Sequence, residues 1–139
     1  SRGLGDVYKR QSHKFESNFV SLEIPKNNSV MFGSLSGTKL GVWVAHGEGK
    51  FEFPYEEKEY NIIAKYNYDG YPANPNGSPW SVAGVCSKDG RHLAMMPHPE
   101  RAIFPWQCGY YPADRKENDE VTPWIEAFVN ARKWIENNK

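Results

Sequence analysis

His98 and Glu100, in the run Met95-Met96-Pro97-His98-Pro99-Glu100-Arg101, are the residues of this chain whose types and spacing are best suited to chemistry. In an extended segment, residues two apart project to the same side at ~3.3 Å of rise each, and Pro99 stiffens the backbone between them. Glu100 then lies within reach of the imidazole. A carboxylate so placed fixes the tautomer of the ring and stabilises the imidazolium formed when the ring takes a proton, which makes the pair a general base and acid. Such a pair ordinarily serves a Ser or Cys nucleophile. The other reading of a His-x-Glu is a surface turn whose two side chains never meet, and the pattern alone leaves both open.

The chain has two cysteines, and neither sits in a suitable setting. An activated Cys wants a tight turn, often G-x-C-x-G between strand and helix, where backbone N–H groups form an oxyanion hole. Cys86, in Gly84-Val85-Cys86-Ser87-Lys88, lacks the second Gly and a following helix, and reads as a buried strand residue. Cys108, in Trp106-Gln107-Cys108-Gly109-Tyr110, reads as packed among aromatics. His-x-Glu also begins the zinc deaminase signature, but the Pro-Cys-x-x-Cys part is missing, so a metal site here would lack ligands.

The elements that must position His98 and Glu100 are mostly strands. Segments rich in β-branched and aromatic residues run from Phe19 to Ile24, Leu40 to Ala45, Tyr60 to Tyr66, Ser81 to Cys86 and His92 to Met96. Turn chemistry separates them at Pro25-Lys26-Asn27-Asn28, His46-Gly47-Glu48-Gly49 and Tyr71 to Pro79, and Ser87-Lys88-Asp89-Gly90 is a natural hairpin loop. One helix is expected, at the end. Thr122 can cap it, Pro123 suits its first position, and Trp124, Phe128, Ala131 and Ile135 form a stripe that reads as core. Asp119 and Glu120 before it and Lys133 and Lys139 towards its end complement the helix dipole. Pattern alone gives a mixed α and β chain with many strands and one helix.

Composition narrows the partners. The 139 residues carry 17 basic and 17 acidic side chains without a block of either sign, so neither a nucleic-acid footprint nor a membrane-surface patch is indicated. Small molecules or protein are expected instead. Cys86 and Cys108 lack CxxC spacing, which argues against a disulfide scaffold or structural zinc and fits a reducing cytoplasm. The longest apolar run is too short to cross a bilayer. Residues 1–11 are set apart as adapter-derived: Asp6-Val7-Tyr8-Lys9-Arg10-Gln11 back-translates to GATGTGTATAAGAGACAG, which resembles a transposon end used in sequencing libraries. Residues 12–139 are then one domain or a piece of one.

Three ordered motifs make the reading specific. Gly41-Val42-Trp43-Val44-Ala45-His46-Gly47-Glu48-Gly49-Lys50, then Tyr71-Pro72-Ala73-Asn74-Pro75-Asn76-Gly77-Ser78-Pro79, then Gly90-Arg91 and Met95 to Arg101, resemble the phosphoribosylformylglycinamidine synthase family. The likeness is to the C-terminal end of its large fused form, within the class I glutamine amidotransferase domain, and runs from about Phe15 to Trp134. Pro105-Trp106-Gln107 and the terminal helix favour the fused form over the stand-alone glutaminase subunit.

The resemblance implies an α/β fold, the C-terminal half of a flavodoxin-like glutamine amidotransferase domain, seen here as a strand-rich fragment with one helix. It implies a Cys-His-Glu triad that releases ammonia from glutamine. His98 takes the place of the catalytic His and Glu100 that of its orienting carboxylate, while the Cys belongs to the preceding half of the domain. Ammonia then serves the ATP-dependent amidination of formylglycinamide ribonucleotide in purine synthesis. This chain is expected to hold no cofactor, with ATP and Mg²⁺ in a separate synthetase region, and to be inactive without the nucleophilic half. Its partners are then glutamine and the N-terminal part of the same enzyme.

His46-Gly47-Glu48-Gly49 and the Asn74 to Pro79 loop read as structural turns or as contacts to the glutaminase site or synthetase region, and no catalytic role is assigned to either. A different class remains: five Trp and eight Tyr among many strands also suit a non-enzymatic β binding module, though aromatics fill ordinary cores as well.

Overall fold

Alternation of apolar and polar residues builds the sheet. The computed structural model describes residues 6–7, 16–46, 51–67 and 79–138. The adapter-like segment except Asp6 and Val7, residues 47–50 and the Tyr71 to Ser78 stretch lie outside them. The strands are β1 (Asp6–Val7), β2 (Glu16–Glu23), β3 (Lys39–His46), β4 (Phe51–Glu52), β5 (Asn61–Tyr66), β6 (Val82–Cys86) and β7 (Leu93–Met95). β1 pairs with β4, and the other five form one sheet in the order β3-β2-β5-β6-β7. All these pairings are antiparallel. The parallel crossovers of a doubly wound sheet are therefore not among the described residues, and the molecule is a strand-rich α/β chain.

In β2, Val20 and Leu22 turn inward at period two, and in β3 their register partners are Val42 and Leu40. Together with Ile24, Phe32, Leu35, Ile63 and Trp124 they make the main core. β6 is buried along its whole length, because the main core covers one face and a smaller cluster of Phe51, Phe53, Ile62 and Met96 covers the other. Three aromatic side chains, Phe32, Phe51 and Trp124, are fully buried in this packing. Four of the five expected strands match to within a residue or two at each end; the first extends further toward the N-terminus, from Glu16.

The hairpin between β6 and β7 closes through Ser87 N–H to the His92 carbonyl at 2.8 Å and Gly90 N–H to the Ser87 carbonyl at 3.0 Å. Gly90 has φ +76°, and a Cβ there would lie 2.2 Å from the Asn28 carbonyl oxygen, so this turn requires glycine.

Two short helices follow: α1 (Ala113–Lys116) and α2 (Ile125–Asn137). The expected terminal helix is present, but its start and its buried face differ from the sequence reading. Thr122 does not cap it: its hydroxyl donates to the Ala102 carbonyl at 2.5 Å. Pro123 lies in the turn before α2, which has Trp124 at its N-cap without a side-chain cap. Its inner face is Trp124, Ala127, Ala131 and Trp134, whereas Phe128 and Ile135 are exposed. The reason is the anchor at its beginning. Trp124 Nε1–H donates to the Gly41 carbonyl at 2.8 Å and its ring meets Phe32 edge-on at 5.8 Å, which sets the rotation of the helix on the sheet. Asn130 then donates to the Met31 carbonyl and to Ser34 Oγ. Lys133 lies before the last turn, which holds no basic residue, and Lys139 lies outside the described residues.

Candidate functional site

His98 is held between strands that are not neighbours in the sheet. After β7 the chain gives the Met96 N–H to the Ala83 carbonyl of β6 at 3.0 Å, and two residues on it gives the His98 N–H to the Trp43 carbonyl of β3 at 2.8 Å. The second contact is an isolated antiparallel bridge. β3 and β7 are the two ends of the five-stranded order, so the sheet curls, and the segment after β7 closes it onto β3. His98 stands on that seam.

Buried Pro97 and Pro99 flank it and fix its backbone. Pro99–Arg101 forms one 3₁₀ turn, with Arg101 N–H to the His98 carbonyl at 3.1 Å and Ala102 N–H to the Pro99 carbonyl at 2.9 Å. Ala102 is fully buried, and its carbonyl accepts the Thr122 hydroxyl, which ties the turn to the start of α2. The extended segment expected around His98-Pro99-Glu100 is therefore a helical turn, because Pro99 sets φ for the first helical position. The consequence drawn from it still holds: His98 Nδ1 and Glu100 Oε1 are 2.7 Å apart. The surface turn whose side chains do not meet is excluded.

The His98 side chain is 30% exposed and that of Glu100 55%. An ionised carboxylate only accepts, so Nδ1 keeps the proton and Nε2 is the nitrogen that can exchange one. The arrangement can accept a proton at Nε2, hold the imidazolium against Glu100, and return the proton to a leaving group.

Neither cysteine is set up as the nucleophile. Cys86 is buried on β6, where Asn61 Nδ2 lies 3.0 Å from its sulfur. Burial, then the charge of Asp89, pushes its thiol up. Cys108 packs at the edge of the main core, and burial raises its thiol against a smaller opposing pull from Lys116. A raised thiol is the opposite of an activated one. No group of three His, Cys, Asp or Glu side chains fit to hold a metal lies among the described residues. Of His46-Gly47-Glu48-Gly49, only the His46 backbone is described, at the end of β3 opposite Glu16, and of the Asn74 to Pro79 loop only Pro79.

Two contributors were not identifiable as site residues from the sequence. Trp43 holds His98 through its main-chain carbonyl, which carries no side-chain signature, and Thr122 looked like a helix cap. The one available signal for Trp43 was its place in the first of the three motifs.

Known proteins share the sequence and fold of this chain. The profile of the CobB/CobQ-like glutamine amidotransferase domain matches residues 6–135. A probable phosphoribosylformylglycinamidine synthase, chloroplastic/mitochondrial, of Arabidopsis thaliana is 42% identical over 140 residues, covering 91% of this chain. Phosphoribosylformylglycinamidine synthase of Homo sapiens is 42% identical over 135 residues, covering 88% of this chain. In both cases the chain spans 10% of the relative's own length. A chain in the structure of PurLQS from Thermotoga maritima superposes with a TM-score of 0.71 at 24% identity, covering 94% of this chain and 53% of that one, a likeness of fold. This chain belongs to the CobB/CobQ-like glutamine amidotransferase domain family.

Proposed function

We propose that this chain carries the His–Glu side of the glutaminase site of a phosphoribosylformylglycinamidine synthase, which takes ammonia from glutamine for the amidination of formylglycinamide ribonucleotide in purine synthesis. The observation that carries it is the 2.7 Å contact of His98 Nδ1 with Glu100 Oε1 on a fixed turn, in a chain of the amidotransferase family. The Arabidopsis and human relatives supply the name of the whole activity.

His98 Nε2 takes the proton of a cysteine thiol, and the sulfur attacks the side-chain amide carbon of glutamine. The same proton goes to the departing nitrogen as the C–N bond breaks, which releases ammonia and leaves a glutamyl thioester. Water then gives a proton to Nε2 as its oxygen attacks the thioester carbon. That proton returns to the sulfur, glutamate leaves, and Glu100 offsets the imidazolium charge at each step. The thiol comes from residues other than Cys86 and Cys108, so the 139 residues by themselves are expected to have no glutaminase activity.

ATP and Mg²⁺ are placed with the region that consumes the ammonia. On this reading the residues of this chain hold neither. Both cysteines are free thiols, and no helix among the described residues is long and apolar enough to cross a membrane. The cytoplasm is the proposed location, although the Arabidopsis relative is named for chloroplast and mitochondrion.

The deciding experiment is His98→Ala in the complete enzyme. Glutamine-driven synthesis should fall by about 10²–10⁴-fold while synthesis from added ammonium salt continues. Equal loss of both would overturn the assignment.

A further inference from the structure

Between α2, the β6–β7 hairpin and residues 29–31 lies an open cavity of about 250 Å³, away from the candidate site: His98 and Glu100 are not among the residues that line it. Its walls are mostly apolar. Ala131, Trp134 and Ile135 follow one another at helical spacing and present one stripe of α2 to it, and Met31 and Leu93 contribute from the other two segments. The volume is below the usual range for drug-sized ligands, about 300–1,000 Å³, and suits a compact molecule.

Charge gives the cavity a sign. Its lining holds no Asp or Glu among the described residues, and its ionisable members are Arg91 and His92. The Arg91 guanidinium is held over the Trp134 ring, its carbon 5.0 Å from the ring centroid. That contact positions the cation and leaves its N–H fork for another partner. The guanidinium makes no hydrogen bond or ion pair with a described residue. Asp89, the acid of the same hairpin, directs Oδ1 to the Ser87 hydroxyl at 2.5 Å and to the Arg91 main-chain N–H at 3.1 Å instead.

The most buried side chain of the lining is also polar. Ser29 is 5% exposed. Its Oγ accepts the Phe32 N–H at 3.3 Å, while its own O–H donates to no described residue. An apolar pocket with a few polar groups left for a ligand is the ordinary form of a small-molecule site. A planar fork of donors on one fixed cation matches one carboxylate, which it can hold by two parallel bonds.

We propose that this cavity binds a compact organic carboxylate, with the carboxylate on Arg91 and the apolar body against Met31, Leu93, Ala131 and Ile135. The occupant joins α2 to the hairpin whose second strand leads on to His98.

Titration of the complete enzyme with indole-3-acetate, followed by saturation transfer to the probe in NMR, tests this, with indole-3-acetamide as the uncharged counterpart. The acetate should bind with a Kd of about 1 mM, ordinary for a molecule of its size, and the amide about tenfold more weakly. Arg91→Gln should weaken the acetate about tenfold and leave the amide unchanged, because only the acetate loses a charge-assisted pair. Ala131→Leu, which narrows the cavity and keeps the guanidinium, should weaken both probes. An ammonium-driven rate equal to that of the unaltered enzyme shows that a variant is folded, and if one variant fails that check the other decides. Equal affinity for acetate and amide, or binding that a folded variant leaves unchanged, would overturn the proposal. So would no binding at about 10 mM, the result expected if another segment of the enzyme fills the cavity.

Discussion

A carboxylate 2.7 Å from Nδ1 orients the ring and answers its charge, and these contributions differ in size from that of the ring itself. In the complete enzyme, Glu100→Ala should lower glutamine-driven kcat by less than His98→Ala does, because an unoriented imidazole still transfers protons part of the time. Steady-state rates with glutamine and with ammonium salt check this, and a Glu100→Ala enzyme as fast as the unaltered one would remove the orienting role. The thiols give a second prediction at this scale. Burial raises both Cys86 and Cys108, so the thiolate fraction near pH 7 is below that of an ordinary cysteine. Labelling by iodoacetamide should be slow at neutral pH and climb through and beyond about pH 8.5, with Cys108 ahead of buried Cys86. A rate already level below pH 7 would instead identify an activated thiolate. The His–Glu contact was legible because spacing alone limits how far apart the two side chains can be. The turn that produces it was not, since a Pro between two polar residues serves an extended segment and a helical turn equally well.

Among the elements, the β6–β7 hairpin delivers His98 to the seam, and its geometry rests on one glycine. A methyl group at position 90 would meet the Asn28 carbonyl at 2.2 Å in a left-handed backbone conformation. Strain and steric overlap together should cost the hairpin about 2–4 kcal/mol. Gly90→Ala in the complete enzyme should therefore lower the temperature at which glutamine-driven synthesis is lost on heating and leave that of ammonium-driven synthesis in place. Identical heat profiles would show that the hairpin tolerates the change. This loop was readable in advance because Ser-Lys-Asp-Gly carries its own turn chemistry, and the strands because β-branched residues recur between such turns. α2 was readable as a helix from its period. Its inner face was not, because the bond from Trp124 to Gly41 and the contact with Phe32 that set its rotation join residues more than eighty positions apart. The bridge from Trp43 to His98 is hidden for the same reason: it is a main-chain contact between distant segments, and the family resemblance rather than local pattern led to the neighbourhood.

At the scale of the whole molecule, a continuous core coexists with surface that a stable monomer seldom leaves open. The main core joins one face of β6 to α2 through Ile63, Phe32 and Trp124, and a separate cluster around Phe51 covers the other face. Against it stand two sheet ends with one strand partner each, β3 and β7, where among the described residues the bridge at His98 and the bond from Trp124 to Gly41 occupy part of the edge. Exposed Tyr55, Trp80, Trp106, Tyr110 and Ile135 add apolar surface on several sides. Unpaired strand edges recruit other strands, and large apolar patches recruit one another. The 139-residue chain made by itself should therefore associate or lose part of its packing. Size-exclusion chromatography should show species larger than a monomer, and the chain should bind a hydrophobic dye at temperatures where a folded domain would not. A monomeric elution with one cooperative thermal transition would contradict this and would mean that the curled sheet is self-sufficient. In that case the exposed aromatic turn beyond Arg101 would be a surface tolerated in water, its order explained by the bonds from the Phe104 N–H to Gln107 Oε1 and from Trp43 Nε1–H to the Gln107 carbonyl.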